Sequence, residues 1–124
     1  MRPAVLICDN EEILRALIRA TLESEPYELL EARDGDEALR VARQAQPDVV
    51  VLDMMMPGRS GLDVLAELRA DDDLASTPVL MLTARARSSD REAALAAGAD
   101  VFLPKPFSPA ALMAAVEELV AARK

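Results

Sequence analysis

Aromatic side chains are nearly missing from this chain: one Tyr, two Phe and no Trp among 124 residues. Its core must therefore be aliphatic, built from Leu, Val, Ile, Met and Ala, and a site that needs aromatic walls, such as one for a flavin ring, is hard to build. Cysteine is reduced to Cys8 alone, which allows no internal disulfide and is consistent with a reducing cytoplasm. Cys8 lies inside an apolar run and reads as a buried structural thiol. No apolar stretch reaches the roughly 18 residues of a membrane span. Met1-Arg2-Pro3 leads straight into an apolar run and then charges, without a signal-peptide pattern. Basic charge is also scarce: 14 Lys and Arg stand against 22 Asp and Glu, for a net charge of −8. Phosphate-backbone binding needs a basic face, so direct contact with nucleic acid is not expected, nor is an anionic membrane surface. A cytoplasmic protein with neither membrane nor nucleic acid as a direct partner is therefore expected.

What is present is a 52% hydrophobic chain of a length that fits one domain, spanning 1–124. Strand and helix patterns alternate along it. Residues 4–8 read as a buried strand, and 11–23 as a helix with Ile13, Leu14, Leu17, Ile18 and Leu22 on its inward face. Residues 27–32 read as a more polar strand, nearer an edge. Asp34-Gly35-Asp36 opens a helix running to about Ala45, with Leu39 and Ala42 inward. Residues 48–52 form a β-branched run suited to a central strand. A loop over 53–61 leads to a helix from about Leu62 to Ala70. Pro78 opens a fourth strand, and a helix over about Ser89 to Ala97 ends at Gly98. A short fifth strand covers 100–103, and Ser108-Pro109 starts the last helix, with Leu112, Val116, Leu119 and Val120 inward. Such βα alternation predicts a parallel sheet covered by helices on both faces.

Four of the apolar runs end on a residue that can handle a phosphoryl group: Asp9, Asp53, Thr83 and Lys105. In an open parallel sheet the carboxyl ends of the strands share one edge, and ligands bind in the crevice there. Two carboxylates, a hydroxyl and an ammonium thus converge, a set suited to a divalent cation and a transferred phosphoryl group.

In order and spacing, the motifs closely resemble the receiver domain of two-component response regulators. They are Asp9-Asn10-Glu11-Glu12, Asp34-Gly35-Asp36-Glu37-Ala38-Leu39, Pro47-Asp48 through Asp53-Met54-Met55-Met56-Pro57-Gly58, Gly61, Leu82-Thr83-Ala84, and Gly98-Ala99-Asp100 followed by Phe102-Leu103-Pro104-Lys105-Pro106-Phe107. The resemblance covers essentially the whole chain. It implies a flavodoxin-like doubly wound α/β sandwich of three layers, with five parallel strands in the order 2-1-3-4-5 and five helices. It also implies a regulatory phosphoacceptor and not an enzyme on other substrates. Asp53 would take a phosphoryl group from a sensor histidine kinase or phosphotransfer protein and form an acyl phosphate. Mg²⁺ would be held by Asp9, Asp53 and the Met55 carbonyl, with position 10 contributing. Lys105 would pair with Asp53 at rest and with the phosphoryl group afterwards, and its bond to Pro106 is often cis in relatives. Thr83 would be the switch hydroxyl and Phe102 its aromatic partner, and Met55 and Arg85 would tune hydrolysis.

The chain departs from the family at Asn10, where relatives carry a second acid. An amide oxygen can still ligate, but one negative charge is missing, so Mg²⁺ binding weaker than usual is expected. The alternative role for Asn10 is capping the first helix. Met55 cannot orient an attacking water, so the phosphoryl state is expected to last minutes rather than seconds. The signatures Leu82-Thr83-Ala84-Arg85 and Lys105-Pro106-Phe107-Ser108-Pro109 are similar to those of receivers attached to winged-helix DNA-binding domains, which often dimerise through the face of the fourth helix, fifth strand and fifth helix. Here that face is Ala-rich and short of charges for interchain salt bridges, which implies a monomer or a weak phosphorylation-dependent homodimer. Either a single-domain receiver or part of a larger protein that continues past Lys124 is expected. Two other readings compete. A dehalogenase-type phosphatase would need an Asp at position 55. A degenerate receiver, acting as a phosphorylation-independent binding module, is favoured only by Asn10.

Overall fold

The computed structural model describes residues 2–84 and 87–123. The five apolar runs form strands β1 (Ala4–Cys8), β2 (Glu28–Ala32), β3 (Val49–Asp53), β4 (Val79–Thr83) and β5 (Val101–Pro104). Helices α1 (Glu12–Leu22), α2 (Gly35–Ala45), α3 (Gly61–Ala70), α4 (Ser88–Ala96) and α5 (Pro109–Arg123) alternate with them. All strand pairs are parallel, in the order β2-β1-β3-β4-β5, as expected. Central β3 and β4 are buried at every residue, because helices cover both faces, whereas edge strand β2 keeps Glu28 and Glu31 exposed.

The period-2 alternation of strand side chains splits the core in two. Leu6, Val50, Leu52 and Met81 point to one face and pack with Leu39 of α2, Leu65 and Leu68 of α3, Ala94 of α4 and Phe102. Val5, Ile7, Val51 and Leu80 point to the other and meet Ile18 and Leu22 of α1 and Leu112 and Val116 of α5. Three layers result.

Local chemistry sets the helix ends. Asp34 accepts the Glu37 N–H at 2.8 Å, and Ser60 forms a reciprocal capping box with Asp63. Ser108 Oγ accepts the Ala111 N–H at 3.0 Å, which fits the expected N-cap. Helix α4 closes on Gly98 at φ 109°, with the Gly98 and Ala99 N–H groups donating to Leu95 and Ala94. That Schellman pattern requires a left-handed residue. Arg69 of α3 locks the same turn: its guanidinium donates to the carbonyls of Gly98, Ala75 and Thr77 and to Asp100.

One expectation fails on α1. Ile13 and Leu17 do not face the core; they are 86% and 48% exposed. The buried stripe runs through Ile18 and Leu22, with Leu14 half-buried, and the next inward place is taken by Arg15. A buried guanidinium is tolerated there because it is satisfied, donating to the Asp9 carbonyl at 2.7 Å and to Glu31 at 3.3 Å. Asn10 is exposed and does not cap the helix; the N-cap position is Glu11, without a side-chain capping bond. Asp9 instead accepts the Glu11 N–H at 2.9 Å.

Candidate phosphoacceptor site

The carboxyl ends of β1, β3, β4 and β5 bring Asp9, Asp53, Thr83 and Lys105 to one edge of the sheet. Asp9 and Asp53 are 0% and 2% exposed, and the Lys105 ammonium lies between them, 3.2 Å from Asp9 Oδ2 and 3.4 Å from Asp53 Oδ1. Expected to pair with Asp53, Lys105 is in fact shared by both acids. The Lys105 N–H donates to the Thr83 carbonyl at 2.6 Å, and the Lys105–Pro106 bond is cis, as the resemblance implies. Thr83 is fully buried at the same edge.

The loop after β3 supports Asp53 from below. The Met55 N–H donates to Asp53 Oδ1 at 3.1 Å, and the Gly61 N–H closes the loop onto the Met54 carbonyl at 2.9 Å. Gly61 is obligatory: a Cβ there would sit 2.4 Å from the Asp53 carbonyl oxygen and 2.7 Å from Met54 Cα. Met55 itself is 49% exposed between buried Met54 and Met56.

Burial is the main force on Asp53 and pushes its pKa up; the Met55 N–H and Lys105 pull it down, and the Asp9 charge adds to the rise. The Cys8 thiol, buried beside Asp9, is driven upward by burial first and is no nucleophile.

Two carboxylates share one ammonium, leaving the pocket one negative charge in excess. These hard oxygens match a cation that keeps most of its waters, as Mg²⁺ does. Exposed Asn10 brings no charge, and among the described residues no group of three or more His, Cys, Asp or Glu gathers to hold a metal. Phe102 is buried, 8% exposed, within the core beside Met81. Arg85 lies outside the described residues.

Two features are not visible in the sequence. Arg15 fixes the Asp9 backbone, and its only signal is one charge inside the apolar stripe of α1. The second is an apolar hollow of about 490 Å³ beside Lys105, lined among others by Ile13, Leu14, Leu17, Pro106 and Phe107. A larger depression, about 560 Å³, lies away from this chemistry around Glu25, Pro26 and Tyr27.

The family profile of the response regulator receiver domain matches residues 5–117. The chain is 39% identical over 120 residues to the phosphate regulon transcriptional regulatory protein PhoB of Rhizobium meliloti (strain 1021), covering 97% of this chain and 53% of that protein. It is 45% identical over 104 residues to the probable transcriptional regulatory protein TcrX of Mycobacterium tuberculosis, covering 84% and 44%. The chain thus spans about half the length of these relatives. Among solved structures, the Francisella response regulator 1452 receiver domain superposes with a TM-score of 0.93 at 32% identity, over 99% of this chain and 100% of that one. The chemotaxis protein CheY4 of Vibrio cholerae gives 0.90 at 32% identity, over 96% and 99%. No helix among the described residues is long and apolar enough to cross a membrane. By its strand order, its sequence and its structural neighbours, the chain belongs to the receiver domains of two-component response regulators.

Proposed function

We propose that Asp53 is the phosphoacceptor of a signalling switch. The observation that carries this is the Lys105 ammonium bridging the buried carboxylates of Asp9 and Asp53 at the strand ends. An Asp53 oxygen attacks the phosphorus of a phosphohistidine on a sensor histidine kinase or phosphotransfer protein. The N–P bond breaks, its electron pair stays on the imidazole, and an acyl phosphate forms. Positioning and charge neutralisation dominate such transfers. Lys105 is already within reach and passes from the Asp53 carboxylate to a phosphoryl oxygen. Asp9, Asp53 and the Met55 carbonyl would hold Mg²⁺, with at most an amide from Asn10, and bound Mg²⁺ supplies charge neutralisation. With that amide in place of an acid, Mg²⁺ binds more weakly than in relatives with two acids.

The phosphodonor docks on the apolar hollow beside Lys105. Ile13 and Leu17 are exposed next to the reacting groups with no core role, and burying them on contact adds affinity where transfer occurs. After transfer, the Thr83 hydroxyl bonds a phosphoryl oxygen and Phe102 reports the change, shifting the α4, β5 and α5 face toward its effector. On that face Asp100 is engaged within the chain by Arg69 and by the Val79 N–H, and Arg123 pairs with Asp48. The Ala-rich stretches of α4 and α5 support a monomer or weak dimer. Contact with DNA, where a longer protein makes it, belongs to segments other than this acidic domain.

The test is intact mass after incubation with acetyl phosphate, with and without Mg²⁺, alongside Asp53→Ala. A gain of one phosphoryl mass that needs both Mg²⁺ and Asp53 supports the switch. No gain, together with no Mg²⁺-dependent beryllofluoride binding, sinks it in favour of a phosphorylation-independent binding module.

A further inference from the structure

Resting on the phosphoacceptor reading, we infer that Met55 is an oxidation site through which a two-electron oxidant shortens the life of the phosphoryl group on Asp53. The run Met54-Met55-Met56 places three thioethers after the phosphoacceptor, and the fold treats them differently. Met54 and Met56 are 5% and 8% exposed and Met81 is 0% exposed, whereas Met55 is 49% exposed. Met113 is half-buried on α5. Among the described residues, then, Met55 is the methionine most open to an oxidant in solution. Its backbone is also tied to the reaction, with its N–H on Asp53 Oδ1 at 3.1 Å.

With a peroxide, a sulfur lone pair attacks one peroxide oxygen, the O–O bond breaks, the sulfoxide forms and water leaves. Sulfur loses two electrons and the peroxide gains them. The product exchanges a weak acceptor for a strongly polar oxygen on the same side chain. In the acyl phosphate, hydrolysis needs a water oxygen to bond phosphorus while the bond to the Asp53 oxygen breaks and a proton goes to solvent. A thioether cannot align that water; a sulfoxide oxygen can accept its hydrogen bond. Methionine sulfoxide reductases reverse the change, so the site works as a reversible timer.

The experiment treats the purified protein and Met55→Leu with hydrogen peroxide, maps sulfoxide by peptide mass spectrometry, then labels both with acetyl phosphate and Mg²⁺ and follows loss of the phosphoryl group. Met55 is expected to oxidise before Met54, Met56, Met81 and Met113. The oxidised wild-type phosphoryl state is expected to decay about three- to tenfold faster than the untreated one, the rate effect of one modest hydrogen bond. Met55→Leu decays at one rate with or without peroxide. Oxidation of one of those four methionines first, or equal decay of the treated and untreated protein, overturns the inference and leaves the phosphoacceptor reading intact. Absence of label on untreated protein, together with no Mg²⁺-dependent beryllofluoride binding, sinks both.

Discussion

Replacing Asp53 with Asn should stabilise the fold in metal-free buffer at neutral pH. Asp53 Oδ1 lies 3.4 Å from the Lys105 ammonium, an attraction of about 5 kcal/mol at an effective dielectric near 20. The Asn variant forfeits that. It also removes repulsion from Asp9, whose Oδ2 is 3.2 Å from the same nitrogen; the two oxygens are therefore no further apart than about 6.6 Å, a repulsion of at least about 2.5 kcal/mol. It further spares the several kcal/mol needed to desolvate a carboxylate that is 2% exposed. The balance favours Asn by about 1 kcal/mol, or about 4 °C in Tm for a chain of this size. The raised pKa of Asp53, driven first by burial, fixes the sign. An acid whose folded pKa lies above its unfolded value costs stability above that folded pKa, and the cost fades as pH falls through it. The advantage of Asn should thus be larger at pH 7.5 than in acid, shrinking as pH falls through the raised Asp53 value. Mg²⁺ should erase it, because wild type at ten times its Kd gains about 1.4 kcal/mol and the variant gains less. Urea denaturation followed by circular dichroism, at several pH values with and without Mg²⁺, measures all three. An Asn variant no more stable than wild type at pH 7.5, or an advantage that grows on acidification, refutes the electrostatic account.

Arg15→Met should weaken Mg²⁺ binding about tenfold by loosening the Asp9 backbone, with Arg15→Lys recovering part of it; equal affinities by titration calorimetry would deny Arg15 a positioning role. Gly61→Ala should lose about 2–4 kcal/mol in urea denaturation, because its Cβ meets only backbone that cannot yield without moving Asp53; a loss below about 1 kcal/mol would mean the loop adapts. Leu17→Ser should change stability by no more than about 0.5 kcal/mol and leave labelling by acetyl phosphate unaltered, yet slow transfer from a histidine kinase that labels wild type. Equal transfer rates would remove the docking role of the hollow. The phosphoryl group on unoxidised protein should persist for minutes, and decay within seconds would contradict the reading of Met55.

The sheet is legible in the sequence because its signals are redundant: unbroken apolar runs mark β1, β3 and β4, and Pro, Gly and Asp punctuate the rest. The residues of the site are legible from strand-end position alone, since strand ends share an edge whatever the helices do. Helix α1 is not. Periodicity reports that Ile13 and Leu17 are apolar but not what covers them, and a face waiting for a partner has the same pattern as a face in the core. Arg15 is hidden for the converse reason: charge predicts solvent, and only the fold reveals that the Asp9 carbonyl and Glu31 await it. Two roles, ligand and cap, are open to Asn10 in the sequence, and the capping role falls away because the helix starts one residue later, with Glu11 at the N-cap position.

The Arg69 clamp gives α4 the mechanics of a lever pinned at one end. Of the nine residues of α4 only Ala94 is buried, so side-chain packing holds the helix lightly. Its last turn, however, is bolted through the Gly98 carbonyl and Asp100 to a guanidinium that also grips Ala75 and Thr77. The pinned end sits by Val79 at the start of β4, the opposite end of that strand from Thr83. Over a rod of about 13 Å, a tilt of about 10° moves the Ser88 end by about 2 Å and the Gly98 end hardly at all. Under the proposed switch, a displacement at the Ser88 end would open the surface between α4 and β5 in a graded way, most at that end and least at Gly98.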